Sequence, residues 1–531
     1  MSPQRTWLVV GLAGVAACVI VGTVFDQGSS GSSTAGDKRV GTGEGTEAAP
    51  SGSDAATGDT AITSGTAAQD TTPTTELAPF TGRAGVLSDV AGFQKAYQGA
   101  KVQGMLTFRG NLTRTFLGTG PIPRTQPQIL WKYPGSGMCG KSSEYNNVRV
   151  WCGTGWTGQV ATFERDGVTW NIFGAYDYKL HFVNAATGQD IIPPFKTGDL
   201  AKGNVTVDPD GYPLIYEGSR DNFFRVISFD GTAPRELYKI DAQTPDRHWN
   251  NDWDAAPLVI GDYLLEGAEN SWFYGWKLNR AYAADGSVTV NPKIVFRVPG
   301  WDQKLLDDVG DDRVSLESSV MVLGNIAYLN NSGGLLQGWD ISGPLSGNGQ
   351  PPKRVFRFWD GDDSDSTTVA DDQGMLYTGV EGDRLTARMK QVGNLLKIDP
   401  SKPNDPVVWS VKTPGKDNGT WSTPNIYNDT VVWPTKPGTV YGLDRATGKE
   451  LWRLNVRGPV LSSSSIVDGV LLLGDGLGTL HAWDMGDGTT TPTELWTLKV
   501  GGNIESSLSI WKGRIYVGTR DGYMYCIGLP T

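Results

Sequence analysis

Between about Gln103 and Leu529, short apolar runs alternate with polar, glycine-marked turns. Ser465-Ile-Val-Asp-Gly-Val-Leu-Leu-Leu473 and Ser509-Ile-Trp-Lys-Gly-Arg-Ile-Tyr-Val517 are the plainest examples. Each reads as a strand, a tight turn and a second strand. An aromatic residue then opens a further strand, at Trp131, Phe195, Tyr238, Phe296, Phe356, Trp409, Trp452 and Trp496. Their spacing of roughly 40 to 65 residues suits one four-stranded blade with variable loops. The pattern predicts an all-β, eight-bladed β-propeller of four-stranded antiparallel blades over residues 103–531. The last segment supplies only three strands, near Glu505–Trp511, Arg514–Gly518 and Tyr523–Gly528. Gln128–Tyr133, which carries Trp131, lacks three strands before it. N- and C-terminal strands sharing one blade would close the ring and remove its open edge.

Ahead of the repeats the pattern changes. Trp7–Phe25 is apolar and uncharged, with Arg5 before it and Asp26 after it. As a helix it spans roughly 28 Å, close to the hydrocarbon thickness of a bilayer. The positive-inside tendency puts Met1 in the cytoplasm and the rest outside. Two other readings compete: a lipoprotein box at Val15-Ala16-Ala17-Cys18, with Cys18 lipidated, and an ordinary signal cleavage after Ala17. The anchor reading is preferred because Val19-Ile20-Val21 stays apolar beyond Cys18. All three export the body of the protein, to the cell surface or the periplasm. Residues 1–25 are therefore read as anchor or signal, and 26–84 as a disordered linker. Its Gly/Ser/Thr/Ala-rich composition cannot bury a core, and its reach is roughly 40 Å. In 85–102, Val86, Val90, Phe93 and Tyr97 fall at helical spacing and predict a short amphipathic helix against the propeller.

Seventy glycines and nineteen tryptophans fit many short strands with aromatic packing. A net charge of −11 argues against nucleic acid, which needs surplus Lys and Arg. No CxxC occurs, and the three histidines are scattered, so zinc motifs are absent. Cys139 and Cys152 fall in the loop between the closing strand and the first full blade, and are expected to pair outside the membrane. Cys526 is expected in a strand as an inert core residue.

The unit Tyr441-Gly-Leu-Asp-Arg-Ala-Thr-Gly-Lys-Glu-Leu-Trp452, with a weaker copy at Phe182-Val-Asn-Ala-Ala-Thr-Gly-Gln189, resembles the tryptophan-docking repeat of the pyrroloquinoline-quinone (PQQ)-like β-propellers. That superfamily holds quinoprotein dehydrogenases as well as non-enzymatic barrel-assembly lipoproteins. The resemblance therefore implies the fold and leaves the activity open. Its quinone enzymes typically hold the quinone between a tryptophan and a ring formed by two adjacent cysteines, with calcium on Glu, Asn and Asp. This chain has no Cys-Cys pair, so PQQ is not supported by the sequence and no catalytic residue is carried over.

Ligands of propellers gather where the innermost strands meet the channel mouth. The segments opening those strands include Asp254-Ala-Ala-Pro, Glu317-Ser-Ser-Val, Asp365-Ser-Thr-Thr, Glu505-Ser-Ser-Leu, Trp421-Ser-Thr-Pro, Ser462-Ser-Ser-Ser and Lys202-Gly-Asn-Val. Asp254, Glu317, Asp365 and Glu505 would thus form an acidic mouth that raises its own pKa values or requires a cation. Trp156, Trp253 and Trp421 are adjacent candidates for stacking. The run Asp360-Gly-Asp-Asp-Ser-Asp-Ser366 begins like a calcium loop, with Asp360 and Asp362 as ligands. It lacks the glycine and glutamate that complete one, so it reads as a solvated turn. Asn250-Asn-Asp-Trp-Asp254 reads likewise, with His248 beside it as a surface histidine. No GxSxG is present. The chain is read as a membrane-tethered, monomeric, extracytoplasmic module that binds a protein or envelope polymer through its channel face. The alternatives are a quinone- or calcium-dependent oxidoreductase and another metal-dependent lyase or hydrolase.

Overall fold

Eight antiparallel sheets follow one another along the chain, seven of them with their four blade strands in sequence order from the axis outward and the eighth with its outer strand taken from the start of the propeller. The computed structural model describes residues 88, 90–144, 147–155 and 158–530. The expected anchor with Cys18, the linker, Val86 and Trp156 lie outside the described residues. Among the described residues no helix is long and apolar enough to cross a membrane.

The inner strands of blades 1 to 8 are Ala161–Arg165, Thr206–Val207, Leu258–Ile260, Met321–Leu323, Val369–Ala370, Asn425–Tyr427, Ser465–Val467 and Ser509–Trp511. Blade 8 is completed on its outer side by Gln128–Tyr133, with Trp131 opposite Cys526 and Tyr133 opposite Met524. The ring is therefore closed by strands from the two ends of the propeller sequence, as the missing-strand argument expects. Cys526 is buried there among Tyr133, Met138 and Tyr516.

Each repeated aromatic stands in the outer strand of its blade, and four of the eight stand opposite glycine or alanine beside a β-bulge. Phe296 faces Gly275, Phe356 faces Gly338, Trp452 faces Gly442 and Trp496 faces Ala482. A Cβ at Gly442 would collide with the Trp452 ring. The indole N–H groups of the four tryptophans among these aromatics reach the neighbouring blade or the segment leading to it. Trp131 donates to the Ala185 carbonyl at 3.0 Å, Trp409 to Arg445 at 3.0 Å, Trp452 to Gly488 at 2.7 Å and Trp496 to Pro123 at 2.7 Å. The Thr-Gly turn makes the docking floor. Asp444 accepts from the Thr447 N–H at 2.7 Å, and Gly448 at φ 71° lies under Trp409, where a side chain would clash.

The lead-in is not the expected helix. It forms one 3-10 turn at Val90–Gly92 and then irregular turns. Val90, Phe93 and Tyr97 still pack on the propeller, but against three different hydrophobic clusters, so no single helical face forms.

Residues 103–119 carry no repeat and fill the axis. Gly104 and Met105 extend the blade 1 sheet opposite Phe163 and Thr162. The Leu106, Leu112 and Thr113 carbonyls accept from Val207, Val322 and Ala370 of blades 2, 4 and 5, and the Thr119 N–H donates to Ile510 of blade 8. Thr107 donates to Pro257 beside blade 3 at 3.0 Å. Arg109 donates to Pro424 at 2.7 Å and Ser464 at 3.4 Å, which covers blades 6 and 7. Arg114 donates to Ala256, Val320 and Phe108 carbonyls, each at 2.8 Å. This plug touches every blade. Burial lowers the Arg109 pKa to about 9 and that of Arg114 to about 10, so both remain charged at neutral pH.

Candidate functional site: an acidic basin at the axis

The strand registers define one axial ring. Leu258 opposite Leu265, Met321 opposite Tyr328, Val369 opposite Tyr377, Asn425 opposite Val432, Ser465 opposite Leu472 and Ser509 opposite Tyr516 are equivalent positions. Four residues upstream stand Asp254, Glu317, Asp365, Trp421, Leu461 and Glu505, with Lys202 at the matching place in blade 2. The blade 7 member is Leu461 rather than the Ser462 of the sequence alignment. It packs on Trp421 and makes that arc of the ring apolar.

The other arc is a network of buried charge. Lys202 Nζ lies 2.5 Å from Asp254 and 3.6 Å from both Asp252 and Glu269. Burial disfavours this ammonium, but the three carboxylates outweigh it and raise its pKa above the usual lysine value. Arg220 sits 3.2 Å from Asp252. Glu505 accepts from Arg520 at 2.8 Å and Asn503 at 2.7 Å. Glu317 accepts from Ser315 at 2.7 Å and Ser332 at 3.2 Å. Burial, and then the charges of Asp365, Asp254 and Asp363, push its pKa well above the carboxylate range. Asp365 and Asp254 thus both act on Glu317 electrostatically.

Beyond the ring, Asp363 is raised to about 6, chiefly by burial, with Arg384 at 3.8 Å opposing the rise. Glu381 is also raised by burial and accepts the Trp421 indole N–H. Lys436 Nζ stands 4.8 Å from the Trp421 ring centroid. One layer deeper, Glu217 and Glu266 in the second strands of blades 2 and 3 are buried with no hydrogen-bond partner, and burial raises the pKa of both well above the carboxylate range.

Several expectations change. Trp253 is 1% exposed and packs on Phe224, Tyr274 and Trp276, so it is inter-blade core and offers no stacking face. Its indole donates to the Asn222 carbonyl at 2.8 Å. The run at 360–366 is buried rather than solvated. Asp360 accepts from Ser364 at 3.0 Å, and Asp362 accepts from the Asp363, Arg384 and Leu385 N–H groups, so both carboxylates cap loop amides. The 250–254 run is also closed in, with Asn250, Asp252 and Asp254 buried. His248 rests edge-on against Trp301 at 4.1 Å.

The rim of the basin carries a hairpin, Cys139–Glu144 paired with Asn147–Cys152, whose base is locked by a Cys139–Cys152 disulfide. Arg520 of the basin donates to the Cys152 carbonyl at 3.1 Å and also stacks on Trp151. The hairpin turns Val148 and Val150 outward, 67% and 64% exposed.

A quinone does not fit these residues. The disulfide spans a hairpin and offers no ring of adjacent cysteines. Trp421, the tryptophan at the axis, has its ring engaged by Lys436 and Leu461.

The second half of blade 6 together with blades 7 and 8 matches a family model, PQQ_2, described as outer membrane protein assembly factor BamB, over residues 436–528. No curated protein matches the chain. Among solved structures, the computationally designed Ika8 protein is similar at 14% identity, covering 70% of this chain and 96% of its own, with a TM-score of 0.49. BamB from Moraxella catarrhalis is similar at 12% identity, covering 77% of this chain and 100% of its own, with a TM-score of 0.38.

Proposed function

We propose that this PQQ-like propeller is a membrane-tethered, extracytoplasmic binding module that engages a protein or envelope polymer at the basin face. The observation that carries the reading is the disulfide-locked hairpin, which holds Val148 and Val150 in solvent beside a charged basin. Exposed β-branched residues on a two-stranded ribbon suit strand addition or apolar contact with a partner. A disulfide suits an oxidising compartment. The apolar run Trp7–Phe25 and the linker after it supply a tether. The family-model description, an outer-membrane assembly factor, points the same way.

The test places a photocrosslinking residue at Val150 in living cells, with Val408, 45% exposed on an outer strand, as control. The expected result is a discrete adduct at Val150 alone, lost in Val148→Asp. Equal adducts at both positions, or none at Val150, would remove the hairpin from the interface. Protease added to spheroplasts should cut the propeller without detergent; protection would overturn the location.

A further inference from the structure

Blades 3 and 5 carry the same three acids at matching places. In blade 3 these are Asp252, Asp254 and Glu269, and in blade 5 Asp363, Asp365 and Glu381. Both sets read Asp-x-Asp ahead of the inner strand, with a glutamate two residues after the glycine that ends the second strand, Gly267 or Gly379. Within each set one oxygen per residue lies within 4.8 Å of the others, and all six residues are buried.

The preceding blade makes the difference. For blade 3, the ring residue of blade 2 is Lys202, and its ammonium contacts all three carboxylates. For blade 5, the ring residue of blade 4 is Glu317, and the lysine is replaced by a fourth acid. Asp363 and Glu381, only 6% and 1% exposed, each meet Asp365 carboxyl to carboxyl, and no hydrogen-bond donor reaches Asp363 Oδ1 or Glu381 Oε1. Arg384 pairs with the other Asp363 oxygen at 3.8 Å. Buried carboxylates compensated only in part are costly.

We propose that Asp363, Asp365 and Glu381 bind one divalent calcium ion, which fills in blade 5 the place that the Lys202 ammonium fills in blade 3. All the donors are oxygens, which selects a hard cation. Oxygens no more than 4.8 Å apart fit around a single ion at calcium distances of about 2.4 Å. Trp421 donates to Glu381 and so stands beside the ion as a built-in optical reporter. The inference goes beyond the partner reading, which rests on the hairpin, and either one can fail alone.

Terbium, a luminescent calcium substitute, tests it on the full chain. Saturable indole-sensitised emission at one ion per chain is expected, reversed by Ca²⁺. Asp363→Asn and Glu381→Gln should each weaken Ca²⁺ at least tenfold by calorimetry, whereas Glu269→Gln, in the lysine-filled set, should leave it unchanged. Trp421→Phe should lose most of the emission and keep calorimetric Ca²⁺ binding. Absence of saturable Ca²⁺ binding in the wild type, or wild-type affinity in a folded Asp363→Asn or Glu381→Gln chain, would overturn the proposal. Near-ultraviolet dichroism identifies a folded variant, and either substitution alone suffices.

Discussion

Two levels of the same axis treat buried charge in opposite ways. At the plug, Arg109 and Arg114 are surrounded by neutral acceptors, mostly main-chain carbonyls of different blades. At the basin, two or three residues upstream of the blade carbonyls, acid faces acid, with Lys202, Arg220, Arg384 and Arg520 neutralising only part of the set. A charge held by fixed dipoles costs no second charge and ties the blades together. A surplus of carboxylates gives the fold nothing comparable, and it is at this level that the proposed binding is placed. The difference separates the part of the axis that makes the ring from the part that uses it.

The largest expected effect breaks the plug. Arg114→Ala strands the Ala256, Val320 and Phe108 acceptors in the interior, each at about 1–3 kcal/mol. Denaturant unfolding should show a loss of several kcal/mol, or the chain should fail to accumulate in soluble form. Stability within about 1 kcal/mol of wild type would contradict the plug as a staple. The second expectation concerns pH, in calcium-free buffer. Asp252 and Asp363, raised to about 6 chiefly by burial, hold protons where the unfolded chain, with carboxyl pKa values near 4, has released them. The folded state binds more protons between those values, so stability rises as pH falls from about 6 to about 4. Asp302 behaves in the opposite sense. Burial raises its pKa, but Arg357 and Arg354 outweigh that and hold it at about 2, so its contribution disappears below about pH 4. Tm should therefore be higher near pH 5 than near pH 7 and fall below pH 4, with a flatter upper limb in Asp363→Asn. The smallest effect belongs to the rim. Reducing Cys139–Cys152, separated by 13 residues, should cost at most about 3 kcal/mol and leave the blades intact. A loss comparable to that of Arg114→Ala would make the hairpin part of the staple.

The sequence shows blade number and closure because the outer-strand aromatics recur against small partners, as Trp452 does on Gly442. The ring acids are also legible, since Asp254, Glu317, Asp365 and Glu505 keep a fixed offset from the inner strands. Their cations are not. Lys202 stands at the same offset, but a lone lysine in a degenerate segment carries no sign of the three acids it meets. Arg220, Arg384 and Arg520 come from other loops and meet the acids only through the ring. Glu269 and Glu381 could have been found, because each stands two residues after the glycine of a second strand. Trp253 misleads because a tryptophan between two acids looks exposed until neighbouring blades close over it. The plug is invisible to any periodicity: Phe-Arg-Gly-Asn-Leu-Thr-Arg repeats nowhere and takes its shape from all eight blades together.

The closing strand also sets an order of events. Gln128–Tyr133 is synthesised before any complete blade, yet its partner, Tyr523–Gly528, follows every other strand of the propeller. The plug waits too, since its contacts extend to Ile510. Every nascent or truncated chain therefore carries an unpaired strand edge and an unfilled axis, both open to pairing with other chains. Completion of the ring thus depends on the last propeller strand: a chain that stops short of Tyr523–Gly528 leaves Gln128–Tyr133 without its partner.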